Sequence, residues 1–163
     1  MILEWTVVAC LLLGLSSAMV AGVFQSFSDF VMQGLIRATP AGGIESMQQL
    51  NRTVFRSAFL ATFLVLVPAS IAYAGYAFMN MEGLAQRLII MASLVYVITV
   101  FLVTMRGNVP LNERLDKMDH TSTEAAEFWQ TYGRVWTRWN TIRTIGSTVT
   151  AGCYLLASVL VGA

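Results

Sequence analysis

Four long apolar segments are the feature that most constrains how this chain can fold. They lie at about residues 5–24, 54–79, 84–105 and 144–161, and a helix of about 20 apolar residues is long enough to cross a bilayer. Inside lipid every backbone N–H and C=O must find a partner within the protein, which a helix provides. The sequence therefore predicts an all-α, membrane-embedded four-helix bundle.

The composition supports a membrane protein and limits the classes of molecule that it is expected to bind. Of 163 residues, 56% are hydrophobic and only 12% are charged, which is more apolar surface than a water-soluble domain of this size could bury. The excess must face membrane lipid. A net charge of +1 without a clustered basic face argues against nucleic acid. No linker or repeat divides the chain, so residues 1–163 are expected to form one domain; nothing indicates an oligomeric state.

The ends of the spans indicate an orientation. The first span keeps a helical pattern to about Leu35, and Glu4 stands where a signal peptide would carry basic residues, so we expect a retained membrane helix. All but one of the ten Lys and Arg residues fall in the connections between spans one and two or three and four; Arg87 is the exception. The positive-inside rule then predicts cytoplasmic long loops and both termini outside.

A stripe of small and then polar residues follows one side of the first helix. Six residues fall within about a 100° arc: Gly14, Ala18, Gly22, Gln25, Asp29 and Gln33. Small residues let membrane helices pack closely, so the upper half of the stripe is expected to face the bundle, and Asp29 then faces it as well, near the cytoplasmic boundary. An ionisable residue at membrane depth is a functional candidate, although a helix end that projects into water would also accommodate Asp29.

The helix that leads into the fourth span carries an aromatic stripe. A capping box at residues 121–124, with Thr121 as the cap, predicts where the helix begins. It should run directly into the fourth span and so form one long helix with a cytoplasmic extension. One face carries Trp129, Tyr132, Trp136, Trp139, Asn140 and Arg143. Such a stripe can be an interfacial belt or packing, but an inward guanidinium needs a partner: Asp29, Asp116 or a ligand oxygen.

A short polar segment follows the third span. Asn108 is a reasonable helix cap and Pro110 suits a first helical turn. Asn108, Asn112 and Asp116, spaced by four, would share one face toward the same cavity. The alternative is a surface helix that shields the mouth of the bundle.

Signals for a bound cofactor are missing from the sequence. His120 is the only histidine, and no Cys, His, Asp or Glu stands near it at metal-ligand spacing. Neither a G-x-G-x-x-G motif nor a Walker-type loop is present. We therefore expect no haem, zinc, copper or nucleotide site built by this chain alone.

Four stretches carry a family resemblance: FSDFVM at 27–32, MQQLNR at 47–52, GNVPLN at 107–112, and WTRWN at 136–140 followed by Arg143. In this order they resemble the anthrone oxygenase-like family (DUF1772). The resemblance implies a four-helix membrane protein. Some fungal members are associated with the oxidation of polycyclic anthrones to anthraquinones without a metal or flavin, whereas many bacterial members have no assigned activity, so the resemblance makes oxidation of a planar aromatic substrate by dioxygen an expectation to test. Its closer similarity to bacterial members implies the bacterial inner membrane. It supplies no catalytic residues, so roles rest on chemistry.

Cofactor-free oxidation needs an apolar slot, a general base and donors to an oxyanion. As a hypothesis, Trp136, Trp139 and Tyr132 form the slot and Asp29 or Asp116 is the base. The donors would be Arg143, Asn140, Asn108 and Asn112.

In the competing interpretation the protein is not an enzyme and binds a lipid, quinone or protein partner through this face. The polar residues could then be packing contacts, with Asp29 paired to Arg143. An open pocket of roughly 300 Å³ or more would favour a ligand site.

Overall fold

The computed structural model describes residues 2–162, which form five helices and, within that range, no strand. The helices are α1 (2–37), α2 (Pro40–Thr53), α3 (Ala58–Asn80), α4 (Gly83–Asp116) and α5 (Thr123–Gly162). By length and composition, α1, α3, α4 and α5 can each cross a membrane. The predicted all-α membrane bundle is confirmed, with α2 as a short additional helix between the first two spans.

Helix α5 is the central element of the bundle. It makes extensive contacts with α1 and α4, and small buried residues such as Gly146, Ser147 and Ala151 allow this close approach. It is one continuous helix of 40 residues, as predicted. Its cap lies one residue later than predicted, because the Ser122 hydroxyl accepts from the Ala125 amide at 3.1 Å.

Thr121, the predicted cap, instead contacts the preceding loop. Its backbone amide and its hydroxyl both donate to the Asp119 carboxylate, at 2.9 and 2.8 Å. These two bonds lower the pKa of Asp119, since they favour the charged form. The Ser122 hydroxyl in turn donates to the Asp119 carbonyl at 2.8 Å, so the polar network of the loop is joined to the first turn of α5.

The buried face of α1 differs from the predicted stripe. Cys10, Gly14, Ser17, Ala21 and Phe24 are buried, a spacing that averages 3.5 residues. Ala18 and Gly22, at strict four-residue steps, are exposed, because each such step rotates about 40° away from the contact face. The prediction that the upper half of the stripe faces the bundle is therefore correct for Gly14 and wrong for Ala18 and Gly22.

The prediction that Asp29 faces the bundle is also wrong. Wider, π-type turns at Phe27–Val31 shift the register of α1. The Asp29 side chain is exposed, and its carboxylate accepts from the Gln25 amide group at 2.5 Å. Asp29 thus lies on the outside of α1, as a helix end in water would allow.

Helix α4 continues through the segment predicted to begin a new helix. π-type turns occupy Tyr96–Leu102 and Thr104–Asn108, and the chain stays helical to Asp116. Asn108 is itself helical and makes no capping bond, so the prediction of a cap there is wrong. Pro110 lies just after the wider turns, which are also frequent at functional sites.

Candidate functional site

A cavity of about 440 Å³ lies at the end of the bundle where α1 and α4 end and α3 and α5 begin. All five helices and the turn before α3 contribute to its wall. Its volume is typical of small-molecule sites, which are mostly apolar with a few polar groups. The polar and charged side chains at its surface are Asn51, Arg52, Thr53, Ser57, Thr104, Asn112, Glu113, Asp116, Asn140 and Arg143.

Arg143 is the buried charge of this cavity, with a relative exposure of 6%. Its Nη2 donates to Asn140 Oδ1 at 2.7 Å and its Nη1 to Thr104 Oγ1 at 3.3 Å. The guanidinium carbon lies 4.2 Å from the Phe24 ring centre and 5.4 Å from that of Trp136. Cation–π contacts of this kind offset part of the cost of burying the charge.

The guanidinium of Arg143 has unused capacity. Among the side chains that the structure describes, in residues 5–162, no carboxylate pairs with it, and its Nε atom has no hydrogen-bond partner. Asp29 is exposed on α1, and Asp116 pairs with Arg52 at 2.8 Å. A buried cation without a counter-ion favours an anionic or strongly polar ligand oxygen.

Asn140 connects Arg143 to α1. Its side chain is fully buried, and its Nδ2 donates to the Phe24 carbonyl at 2.6 Å and to Ser28 Oγ at 2.8 Å. Both amide hydrogens are therefore used within the protein, while Oδ1 accepts from Arg143. Asn140 was predicted to donate to a substrate, but these contacts make it a residue that positions Arg143.

Asn112 has a similar role for the aromatic wall. Its Oδ1 accepts from the Tyr132 hydroxyl at 2.8 Å and from Trp136 Nε1 at 2.9 Å. Trp136 lines the cavity, and Tyr132 stacks behind it, against Trp129 at 5.3 Å between ring centres. The side-chain oxygen of Asn112 on α4 thus holds two aromatic rings of α5 in place by hydrogen bonds.

Replacing Asn112 with leucine should remove this link. We expect the free energy of unfolding to fall by about 1–3 kcal/mol, because the Tyr132 hydroxyl and Trp136 N–H lose their acceptor. Denaturation by SDS in mixed micelles, followed by circular dichroism, measures the loss. In a Tyr132→Phe background the same substitution should cost less, since one donor is already absent; an equal cost in both backgrounds would contradict this account.

Of the remaining predicted residues, Asp116 lies at the cavity surface, whereas Asn108 and Trp139 do not. Asp116 lines the cavity, together with Asn112 and Arg143. Asn108 is buried, and its Nδ2 donates to the Trp136 carbonyl at 3.2 Å. Trp139 is 38% exposed and packs over Gly107. Neither of these two lines the cavity, so the structure gives them contacts behind or beside its wall.

Several cavity residues were not predicted from the sequence. They are the phenylalanines Phe24, Phe27, Phe59 and Phe63, and the polar residues Asn51, Arg52 and Thr104. Asn51 and Arg52 belong to the MQQLNR stretch, which carried the family resemblance and could have indicated them. Phe27 begins the FSDFVM stretch and could have been indicated in the same way. The other three phenylalanines lie outside these stretches, and a phenylalanine in a membrane helix carries no comparable signal. Within the described part of the chain, no three His, Cys, Asp or Glu side chains form a metal-ligand group.

Comparison with known proteins gives a family match. A family model described as anthrone oxygenase matches residues 52–153, which is more than half of the chain. The matched segment includes α3, α4 and most of α5, with Asp116, Asn112 and Arg143. No curated protein and no solved structure matches the chain.

Proposed function

Because this chain belongs to the anthrone oxygenase family, we propose that it oxidises a planar aromatic substrate of the anthrone type with dioxygen. The reaction takes place in the cavity beside Arg143. The substrate is a small lipophilic molecule, and neither a metal nor a flavin is required.

The observation that carries this proposal is the guanidinium of Arg143, which is buried among aromatic rings and has no carboxylate partner among the described side chains. An anthrone that loses a proton from its methylene carbon becomes a planar anion with its charge largely on the carbonyl oxygen. The Phe24 and Trp136 rings suit the planar body, and Arg143 suits the oxygen. A fixed donor in an apolar site stabilises such an oxyanion strongly.

The overall reaction converts one anthrone and one O₂ into one anthraquinone and one water. A base removes a methylene proton, and the carbanion transfers electrons to O₂ as a carbon–oxygen bond forms. After protonation the product of this step is a hydroperoxide. Loss of the second hydrogen from the same carbon, as a proton, then breaks the O–O bond and leaves the ketone and water.

The residues of the cavity can be assigned to these steps. Of the two carboxylates considered as the base, Asp116 is favoured because it lines the cavity and Asp29 does not. Arg143 donates to the oxyanion. Asn140 holds Arg143, and Asn112 holds Trp136. Asn108, Tyr132 and Trp139 support the wall without touching the substrate.

We further propose that the cavity end of the bundle faces the cytoplasm of a bacterial cell, with the chain in the inner membrane. All Lys and Arg residues except Arg87 lie at this end, either in the connections between helices or in the parts of α1, α2, α4 and α5 nearest to these connections. Positive charge of this kind favours the cytoplasmic side. Both termini are then outside.

Oxygen consumption tests the proposed activity. Purified protein in detergent is mixed with a model anthrone, and O₂ uptake and anthraquinone formation are followed together, with spontaneous oxidation subtracted. We expect equal amounts of O₂ consumed and quinone formed, at a rate proportional to protein concentration. A rate equal to background across several anthrones would overturn the proposal.

A second candidate function is favoured by the size of the cavity alone: a non-catalytic protein that binds a lipid or quinone there. Titration with the anthraquinone product, followed by tryptophan fluorescence, distinguishes the two. Saturable binding without any oxygen uptake in the first experiment would favour this second function.

A further inference from the structure

The wall of the cavity has two sides of different polarity. Helices α1 and α3 contribute only apolar side chains: Val23, Phe24, Phe27, Phe59, Leu60 and Phe63. The charged side chains come from α2, α4 and α5: Arg52, Glu113, Asp116 and Arg143. A ligand that enters between α1 and α3 therefore meets hydrocarbon first and the polar groups last.

Among neighbouring membrane-spanning helices, α1 and α3 have the least extensive contact. This contact, the seam between the two helices, is less extensive than those of α1 with α5, α5 with α4, and α4 with α3. A second apolar groove of about 390 Å³ lies in the same seam at its other end, with Leu12 and Ala72 among its wall residues. There the Tyr73 hydroxyl turns inward and donates to the Thr6 carbonyl at 2.9 Å.

Polar contacts close the opposite side of the cavity. The Arg52–Asp116 ion pair joins α2 to α4 at 2.8 Å. The Gln48 side chain donates to the carbonyls of Leu115 and Met118 at 2.8 and 2.9 Å. Between α1 and α3, the described residues form hydrogen bonds only around Tyr73, at the far end from the cavity. The apolar side is thus free of polar contacts that an entering ligand would have to break.

Exposed apolar side chains stand at the rim of the cavity. Phe55, in the turn before α3, is 76% exposed, and Leu50, at the end of α2, is 40% exposed. Both line the cavity. Such side chains are unfavourable in water but suit the boundary between headgroups and acyl chains.

We propose that the cavity opens sideways into the bilayer, through the seam between α1 and α3 at the level of Val23 and Leu60, and takes its ligand from the lipid phase. The ligand is then a lipophilic aromatic compound dissolved in the membrane. This inference rests on the proposed function only in treating the cavity as a ligand site.

Quenching of Trp136 fluorescence by lipid tests the opening directly, because Trp136 is the only tryptophan that lines the cavity. The protein with Trp5, Trp129 and Trp139 replaced by phenylalanine is placed in vesicles of phosphatidylcholine brominated on its acyl chains, whose bromines quench only at short range. Iodide in the buffer is the aqueous quencher. If the triple variant does not fold, the difference between wild type and Trp136→Phe gives the same quantity.

We expect brominated lipid to quench Trp136 more strongly than iodide does. Filling the seam with Val23→Phe and Leu60→Phe should then reduce quenching by brominated lipid at least twofold. The matched control is Leu64→Phe, on the exposed side of α3 and outside the cavity wall, which should change nothing. Stronger quenching by iodide, or quenching by lipid that the filled seam does not reduce, would overturn the inference.

This experiment uses no substrate, so its result is independent of the oxygen measurement. A cavity open to lipid without anthrone turnover would retain the lateral opening and refute the oxidation. Anthrone turnover together with a cavity that only iodide reaches would support the oxidation and refute the lateral opening.

Discussion

Replacing Arg143 with alanine is expected to lower anthrone turnover by about 100- to 1000-fold, the usual effect of removing one preorganised oxyanion donor. The guanidinium lies against Phe24 and Trp136 with its Nε atom unpaired, so it can donate to the developing oxygen charge. Oxygen uptake at saturating anthrone, corrected for spontaneous oxidation, measures the change in kcat. Because the donor acts mainly as charge develops, kcat should fall more than KM rises.

The matched control is Arg138→Ala. Arg138 lies on the same helix, five residues before Arg143, but it is exposed and outside the cavity, so its loss should change turnover little. Arg143→Lys keeps the charge and loses the planar fork of donors, and should fall between wild type and Arg143→Ala. Equal turnover in Arg143→Ala and wild type would show that the oxyanion is not held there.

Four of the polar cavity residues, Asn112, Asp116, Asn140 and Arg143, could be predicted from the sequence, because charged and amide side chains are anomalous on an apolar helix. On α5 the 100° rotation per residue correctly joined Trp136, Asn140 and Arg143, which are all buried. On α1 the same 100° rotation per residue predicted the wrong buried face. There the contact face follows a spacing of about 3.5 residues, and the π-type turns at Phe27–Val31 shift Asp29 outward.

Other features depend on tertiary contacts that no local pattern encodes. Phe24 and Phe63 line the cavity, yet a phenylalanine that faces lipid looks the same in the sequence. The pairing of Arg52 with Asp116 joins residues far apart in the chain. Asn108 has the residue type of a cap, but its side chain donates across to α5 instead. Side-chain chemistry indicated which residues to consider, and packing decided their roles.

Replacing Gly146 with leucine is expected to destabilise the bundle by about 3 kcal/mol, the upper end of typical overpacking costs. A Cβ atom at this position would lie 2.0 Å from Thr99 Oγ1 and 3.2 Å from Val100 Cγ2. Thr99 cannot move freely, since its hydroxyl donates to the Val95 carbonyl at 2.7 Å. Helix α4 must therefore move away from α5. SDS denaturation followed by circular dichroism measures the loss.

Gly152→Leu provides the control for this substitution on the same helix. A Cβ atom at Gly152 meets no other atom within 4 Å, so the leucine should be tolerated, and the helix former can even stabilise α5. The two variants add the same side chain and differ in whether another helix packs against the substituted position.

Gly146 also lies three residues from Arg143, whose Nη1 donates to Thr104 on α4. If α4 is displaced, Gly146→Leu should also weaken turnover under conditions where it stays folded. Equal stability of the two variants would mean that α4 and α5 are not packed this closely at Thr99.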